Sequence, residues 1–258
     1  MKPIALITGA SGGIGYELCQ QFAKNNYDLI LVARDEEKLK KYAEEFKKNH
    51  DTKSTIILKD LSSATAADEI IKQLKHENMT VEVLVNNAGF GSYGKFAETD
   101  EKKELSMMQV NMVTLTHLTK LLLPEMLAKK SGKILNVAST AAFFPGPLMA
   151  VYYATKAYVY SFSQAIRQEL KGTGVSVTVL CPGPTRTGFE KGADLGSSKL
   201  FKKISMDAKT VAENAFKGLM KNKALVIPGF RNKLQVFGEH FAPRNAIAGI
   251  VESAQSPM

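Results

Sequence analysis

Tyr152 and Lys156 stand four residues apart in the run Tyr152-Tyr153-Ala154-Thr155-Lys156. On a helix that spacing brings both side chains to one face. A free tyrosine hydroxyl titrates near pH 10, too high for efficient proton exchange at neutral pH. An ammonium one turn away favours the phenolate and is expected to lower that value. The pair is suited to act as general acid and base, a contribution of about 10²–10⁴-fold in rate. The plainer reading is an amphipathic helix that happens to carry Tyr and Lys, because the spacing alone is a weak pattern. Tyr153 and Tyr158 have no lysine four residues on. Ser139 lies thirteen residues before Tyr152, after the apolar run ending Asn136-Val137-Ala138. A hydroxyl there could donate to a substrate oxygen and hold it where negative charge develops.

A second constellation opens the chain. The run Ile4–Ile7 leads into Thr8-Gly9-Ala10-Ser11-Gly12-Gly13-Ile14-Gly15, and a helical pattern follows. Glycines at such a turn make it tight, admit a pyrophosphate against bare backbone and let helix and strand pack closely. The helix N-terminus then offers free N–H donors and a positive dipole end to phosphate. The next strand ends in neutral Ala33, followed by Arg34 and Asp35. A carboxylate at that strand end accepts from the ribose 2′-hydroxyl in NAD sites. A guanidinium instead binds a 2′-phosphate, so NADP (as NADPH in the reducing direction) is expected over NAD, with Asp35 weighing against it.

These residues need a scaffold, and the rest of the chain reads as one. Strand-like runs at Ile4–Ile7, Asp28–Val32, Ser54–Leu58, Val81–Val85, Lys133–Val137, Val175–Leu180 and Ala224–Ile227 alternate with amphipathic stretches. The latter are Ile14–Lys24, Glu36–Lys48, Ala64–His76, Asp100–Lys129, Tyr152–Lys171 and Ala208–Lys221. Strands apolar almost throughout belong in a parallel sheet covered on both faces. The expectation is an α/β fold, a doubly wound parallel sheet of about seven strands with helices on both faces, in one domain over 1–258. Two stretches break the rhythm. One, rich in Gly, Pro, Ser and Lys, reads as a lid at about 184–206, since long loops in compact domains are usually functional. The other is the tail over 229–258, expected to pack as a final helix with frayed last residues.

Together these motifs resemble the short-chain dehydrogenase/reductase family over about residues 3–228. The match rests on T-G-x-x-x-G-x-G at Thr8, Gly9, Gly13 and Gly15, on Asn86-Asn87-Ala88-Gly89, on Val137-Ala138-Ser139, on Tyr152 with Lys156, and on Pro182-Gly183-Pro184-Thr185-Arg186-Thr187. The resemblance implies a Rossmann fold and a catalytic group of Asn111, Ser139, Tyr152 and Lys156. Asn111 would hold a water linking Lys156 to solvent, and Lys156 would also bond the nicotinamide ribose. It implies cofactor contacts from Thr8, Gly9, Ser11, Gly12, Gly13, Ile14 and Gly15, from Arg34, and from Asp60 and Leu61 beside the adenine. Asn87, Ala88 and Gly89 would line the cofactor. Pro182, Gly183, Thr185 and Thr187 would reach the nicotinamide carboxamide, fixing which ring face donates hydride. It further implies a homodimer or homotetramer built on the helices Asp100–Lys129 and Tyr152–Lys171.

Composition removes other classes. The net charge is +9, yet Glu and Lys alternate along Glu36–Lys48 as on a solvated helix face, and no arginine-rich run marks a nucleic-acid site. Cys19 and Cys181 lie far apart without metal-ligand spacing, so no metal is expected. No apolar run reaches the roughly 18 residues of a membrane span, so a cytoplasmic protein without stable membrane insertion is expected. Phe90, Tyr93, Phe143, Phe144, Leu148, Met149 and Phe189 suggest an apolar wall for a hydrophobic carbonyl or alcohol substrate. Two rivals stand beside this reading: a non-catalytic nucleotide-binding regulator on the same fold, and an interaction or membrane-surface protein using the charge and the tail.

Overall fold

Alternation within the strands decides the architecture. In β1 (Ile4–Thr8), Ala5 and Ile7 pack into one apolar cluster and Leu6 into another. In β2 (Asp28–Ala33), Leu29 and Leu31 join the first cluster, Ile30 and Val32 the second. Strands apolar on both faces must be covered on both. The computed structural model describes residues 2–189, 205–239 and 244–255. Five further strands join β1 and β2: β3 (Ser54–Leu58), β4 (Val83–Asn86), β5 (Gly132–Val137), β6 (Val175–Leu180) and, after two short strands named below, β9 (Leu225–Val226). All seven run parallel in the order β3-β2-β1-β4-β5-β6-β9. The order reverses between β1 and β4, and a doubly wound sheet opens its binding crevice at that switch point, beyond the strands' carboxyl ends.

Helices close both faces. On the first lie α1 (Gly13–Lys24), α2 (Glu36–His50) and α7 (Ala208–Met220), which bury Leu18, Phe22, Phe46 and Phe216. On the second lie α3 (Ala66–His76), α5 (Leu115–Ala128) and α6 (Ala150–Glu169), with Ile70, Leu74, Leu118 and Leu122 buried and Ile166 packed against them. Phe22 and Phe46 are wholly buried, and truncating either to alanine would cost about 3–5 kcal/mol. Local chemistry agrees with this. Asp35 caps α2 by accepting from the Lys38 N–H at 3.1 Å, Glu36 and Glu37 occupy its first turn, and Lys47, Lys48 and His50 its last.

Three expectations change. The helix expected over 100–129 is α4 (Glu101–Met108), a π-helical turn over Gln109–Thr114, and then α5. Thr114 Oγ1 donates to the Leu61 carbonyl at 2.8 Å from that turn, and wide turns of this kind often mark functional sites. The expected lid falls largely on 190–204, outside the described residues; its flanks form a small parallel pair, β7 (Thr185–Arg186) with β8 (Met206–Asp207). The tail carries two helices rather than one, α8 (Phe230–Glu239) and α9 (Arg244–Gln255). Among the described residues no helix is long and apolar enough to cross a membrane.

Candidate active site

The glycine loop is shaped by backbone contact. Gly9 has φ +67°, and a Cβ there would stand 2.8 Å from Asn87 Nδ2 and 2.9 Å from Ala88 Cα. At Gly15 a Cβ would strike the Gly9 carbonyl oxygen at 2.1 Å. α1 therefore starts pressed against the end of β1. No side chain caps it, and its N-cap, Gly12, has nothing within 4 Å of where a Cβ would be. An uncapped helix N-terminus facing open space is the cradle that a pyrophosphate fits.

That cradle is one end of a cleft of about 900 Å³ across the switch point. Gly9, Ser11, Gly12, Gly13, Ile14 and Gly15 line it, with Arg34, Asp60, Leu61, Asn87, Ala88 and Gly89 along the sheet. Pro182, Gly183, Thr185 and Thr187 close the side after β6. Thr8 does not line it. Its buried hydroxyl accepts from the Asn87 and Ala88 N–H groups, each at 3.0 Å, and so ties β1 to β4. Asn87 Nδ2 answers with a bond to the Thr8 carbonyl at 2.9 Å.

Beyond the end of β2, Arg34 Nη1 lies 3.7 Å from Asp60 Oδ2 and is largely exposed. The Ser62 N–H, the Ser62 hydroxyl and Arg34 together hold the Asp60 carboxyl below its usual range against the opposing effect of burial. Asp35 turns to α2: besides capping it, the carboxylate pairs with Lys38 Nζ at 2.7 Å, which lowers its pKa. The neighbouring acid thus has a cation of its own.

At the other end, Ser139, Tyr152 and Lys156 come together. Tyr152 and Lys156 share one face of α6 with the ammonium 5.8 Å from the phenol ring centre, and Ser139, whose hydroxyl accepts from the Ala141 N–H at 3.1 Å, lines the same cleft. The expected effect of the ammonium on the phenol does not emerge. Burial dominates and pushes the Tyr152 hydroxyl up, with Ser139 opposing it. Burial also pulls Lys156 down to about 8. Both side chains are largely buried, so each charge is disfavoured. The Lys156 Nζ meanwhile donates to the Val137 carbonyl at 2.9 Å.

Asn111 also departs from expectation in place. It lies behind the cleft rather than on its wall, fully buried in the π-helical turn. Its amide accepts from the Phe90 N–H at 3.2 Å and donates to the Phe90 carbonyl at 3.0 Å and to Thr155 Oγ1 at 3.1 Å. It remains beside the lysine, since a Cβ on Gly89 would lie 3.0 Å from Asn111 Oδ1 and 3.3 Å from Lys156 Nζ.

The apolar wall is only partly as expected. Phe90, Met149 and Phe189 line the cleft. Phe143 instead packs on Tyr160 with ring centres 4.8 Å apart. Tyr93 and Phe144 support Tyr152 and Tyr153 from behind, and Leu148, at φ +65°, gives its carbonyl to the Gly94 N–H. Among the lining residues that sequence reasoning missed, two stand at the catalytic end. Tyr153 meets Tyr152 edge-on at 6.1 Å, and Gln255 arrives from α9. Only the repeated aromatic marked Tyr153, and nothing local marked Gln255.

Comparison with known proteins agrees with this geometry. A family model described as short chain dehydrogenase matches residues 3–196. The chain is 34% identical to the ketoacyl reductase HetN of Nostoc sp. over 219 residues, 84% of this chain and 75% of that protein. A short-chain dehydrogenase from Sphingobium yanoikuyae, solved in complex with NADPH, superposes with TM-score 0.83 at 26% identity over 98% of each chain. A structure described for 7beta-hydroxysteroid dehydrogenase stereoselectivity superposes with TM-score 0.87 at 26% identity over 96% of each chain.

Proposed function

Because this chain belongs to the short-chain dehydrogenase family, we propose that it is an NADPH-preferring oxidoreductase acting on a carbonyl or alcohol carbon of a hydrophobic small molecule. One observation carries the reading: an acid–base pair with a serine donor stands in the same cleft as an uncapped, glycine-shaped helix N-terminus. The residues fit a dinucleotide. The α1 N-terminus would take its pyrophosphate, and Arg34 its 2′-phosphate, with Lys38 beside it and Asp35 already paired. Asp60 and Leu61 would sit by the adenine, Thr185 and Thr187 by the carboxamide. When bound, the nicotinamide supplies the hydride.

The chain's own side chains do the rest. Ser139 donates to the substrate oxygen and holds it where charge develops. Tyr152 gives that oxygen its proton, with the Ser139 side chain opposing the upward push that burial gives the hydroxyl. Lys156, pulled towards neutral pH, resupplies the proton, with Asn111 and Gly89 at its back. Phe90, Met149 and Phe189 exclude water and favour an apolar substrate body. Tyr158, Leu105 and Val113 are exposed on or beside α4 and α6, which supports a homo-oligomer built on that helical face.

The test is paired NADPH and NADH oxidation against a ketone and aldehyde panel, with Tyr152→Phe alongside. Turnover is expected with NADPH, falling about 10²–10⁴-fold in the variant. Equal rates in the two proteins would remove Tyr152 from the chemistry.

A further inference from the structure

The far end of the cleft holds an arrangement that hydride transfer does not require. Gln255, on the last described turn of α9, is 1% exposed and lines the cleft. Its main-chain carbonyl accepts from the Tyr93 hydroxyl at 2.7 Å, and its Nε2 donates to the Tyr153 hydroxyl. Val251, one turn earlier, packs into the apolar cluster of Tyr152 and Tyr153. The helix is thus pinned over the substrate end at both the backbone and the side chain. Gln255 Oε1 has no hydrogen-bond partner among the described residues. Among the described residues it is the one buried side-chain polar atom on a cleft-lining residue left without a hydrogen bond.

Resting on the reductase reading, we propose that Gln255 and Tyr153 form a hydroxyl-recognising subsite that selects carbonyl substrates carrying an alcohol on their apolar body. The Tyr153 oxygen accepts from Gln255, which leaves its own proton to donate, and burial holds that proton by pushing the group up to about 12. Gln255 Oε1 supplies an acceptor. One donor beside one acceptor is the complement of an alcohol oxygen with its hydrogen. An ether takes the Tyr153 proton but leaves Oε1 unmet, and a hydrocarbon leaves both unmet. Sites built to bond a hydroxyl discriminate strongly against analogues lacking it, because their own buried groups are then unpaired. Tyr153 adjoins Tyr152, so the selected alcohol lies a few atoms from the reacting carbonyl.

Three aryl ketones alike except for a distal hydroxyl, methoxy or hydrogen test this. The wild type is expected to favour the hydroxyl ketone in kcat/KM by about tenfold or more over the methoxy ketone. Gln255→Met should bring that ratio close to one, and Gln255→Glu, still an acceptor, should keep it. Melting temperature and NADPH affinity check that the variants fold. An undiminished ratio in Gln255→Met, or none in the wild type, overturns the subsite. Thermal shift of the NADPH complex by the same ketones reads the subsite without turnover. A hydroxyl preference there with no turnover overturns the reductase reading alone, and failure of both measurements overturns both.

Discussion

The two ends of the cleft are held in place by different means. At the phosphate end the wall is backbone: Gly9 and Gly15 lie so close to Asn87 and to one another that a methyl group does not fit. At the substrate end the wall includes side chains from distant places, Tyr153 on α6 and Gln255 on α9, joined by a hydrogen bond, with Tyr93 after β4 holding the Gln255 main chain from outside the wall. The first end is a short glycine loop pressed on Asn87 and Ala88, its shape fixed by what is missing from it. The second is assembled only when the tail docks, and its members can be exchanged without disturbing the sheet. A fold of this kind keeps its cofactor chemistry constant while its substrate changes.

The sharpest way to break that contrast is to add one methyl group to each of two glycines. Gly15→Ala places its Cβ 2.1 Å from the Gly9 carbonyl, and backbone cannot give way as a flexible side chain does. The loss should exceed the roughly 1–3 kcal/mol of ordinary overpacking. That corresponds to a fall in melting temperature of about 10 °C or more for a chain of this size. Gly12→Ala meets nothing, so its melting temperature should stay within about 2 °C of wild type while NADPH affinity falls, because the methyl stands in the cradle. Equal thermal losses in the two variants would show the cradle to be ordinary packed backbone.

A smaller effect is expected where the phosphate end meets solvent. Arg34 is largely exposed and only loosely paired with Asp60, so its removal should leave the fold intact. Arg34→Ser should raise the KM for NADPH by roughly 10–100-fold, the worth of a charge-assisted hydrogen bond or two, and leave NADH almost unchanged. Equal weakening of both cofactors would make Arg34 a general support of the strand end.

The contrast also explains what the sequence disclosed. Strand faces, helix spacing and the glycine loop were legible because each depends on residues near one another in the chain, as with Ala5, Leu6 and Ile7 dividing between two clusters. The pairing of Tyr152 with Lys156 on one helical face was legible for the same reason. The π-helical turn that carries Asn111 was not, because its extra residue is accommodated by contacts to Leu61 and Phe90 that no local pattern encodes. Phe143 and Phe144 were both misplaced because a local apolar run does not say which side chains face the cleft: the first packs on Tyr160 and the second on the cluster of Tyr152 and Tyr153. Gln255 lies 102 residues from the tyrosine it bonds, and no periodicity spans that distance.

The mildest test concerns Lys156, where the expected sign runs against intuition. Its pKa falls from 10.5 to about 8 on burial. Between those values the unfolded chain holds more protons than the folded one, so this group makes stability rise with pH across that window. Below it the ammonium is buried and charged, at a cost on the order of 3 kcal/mol. Lys156→Met removes that charge but leaves the Val137 carbonyl without its donor, which returns about 1 kcal/mol. The cofactor-free variant should therefore melt several degrees above the wild type near pH 7, with the gap narrowing as the pH approaches 10. Gln255→Met, at the other end, carries no charge into the fold and should show no such pH dependence. A Lys156→Met protein less stable than wild type at every pH would mean that the ammonium supports the fold. The two ends would then differ in geometry alone, and no stability would be given up to keep a proton donor in a dry site.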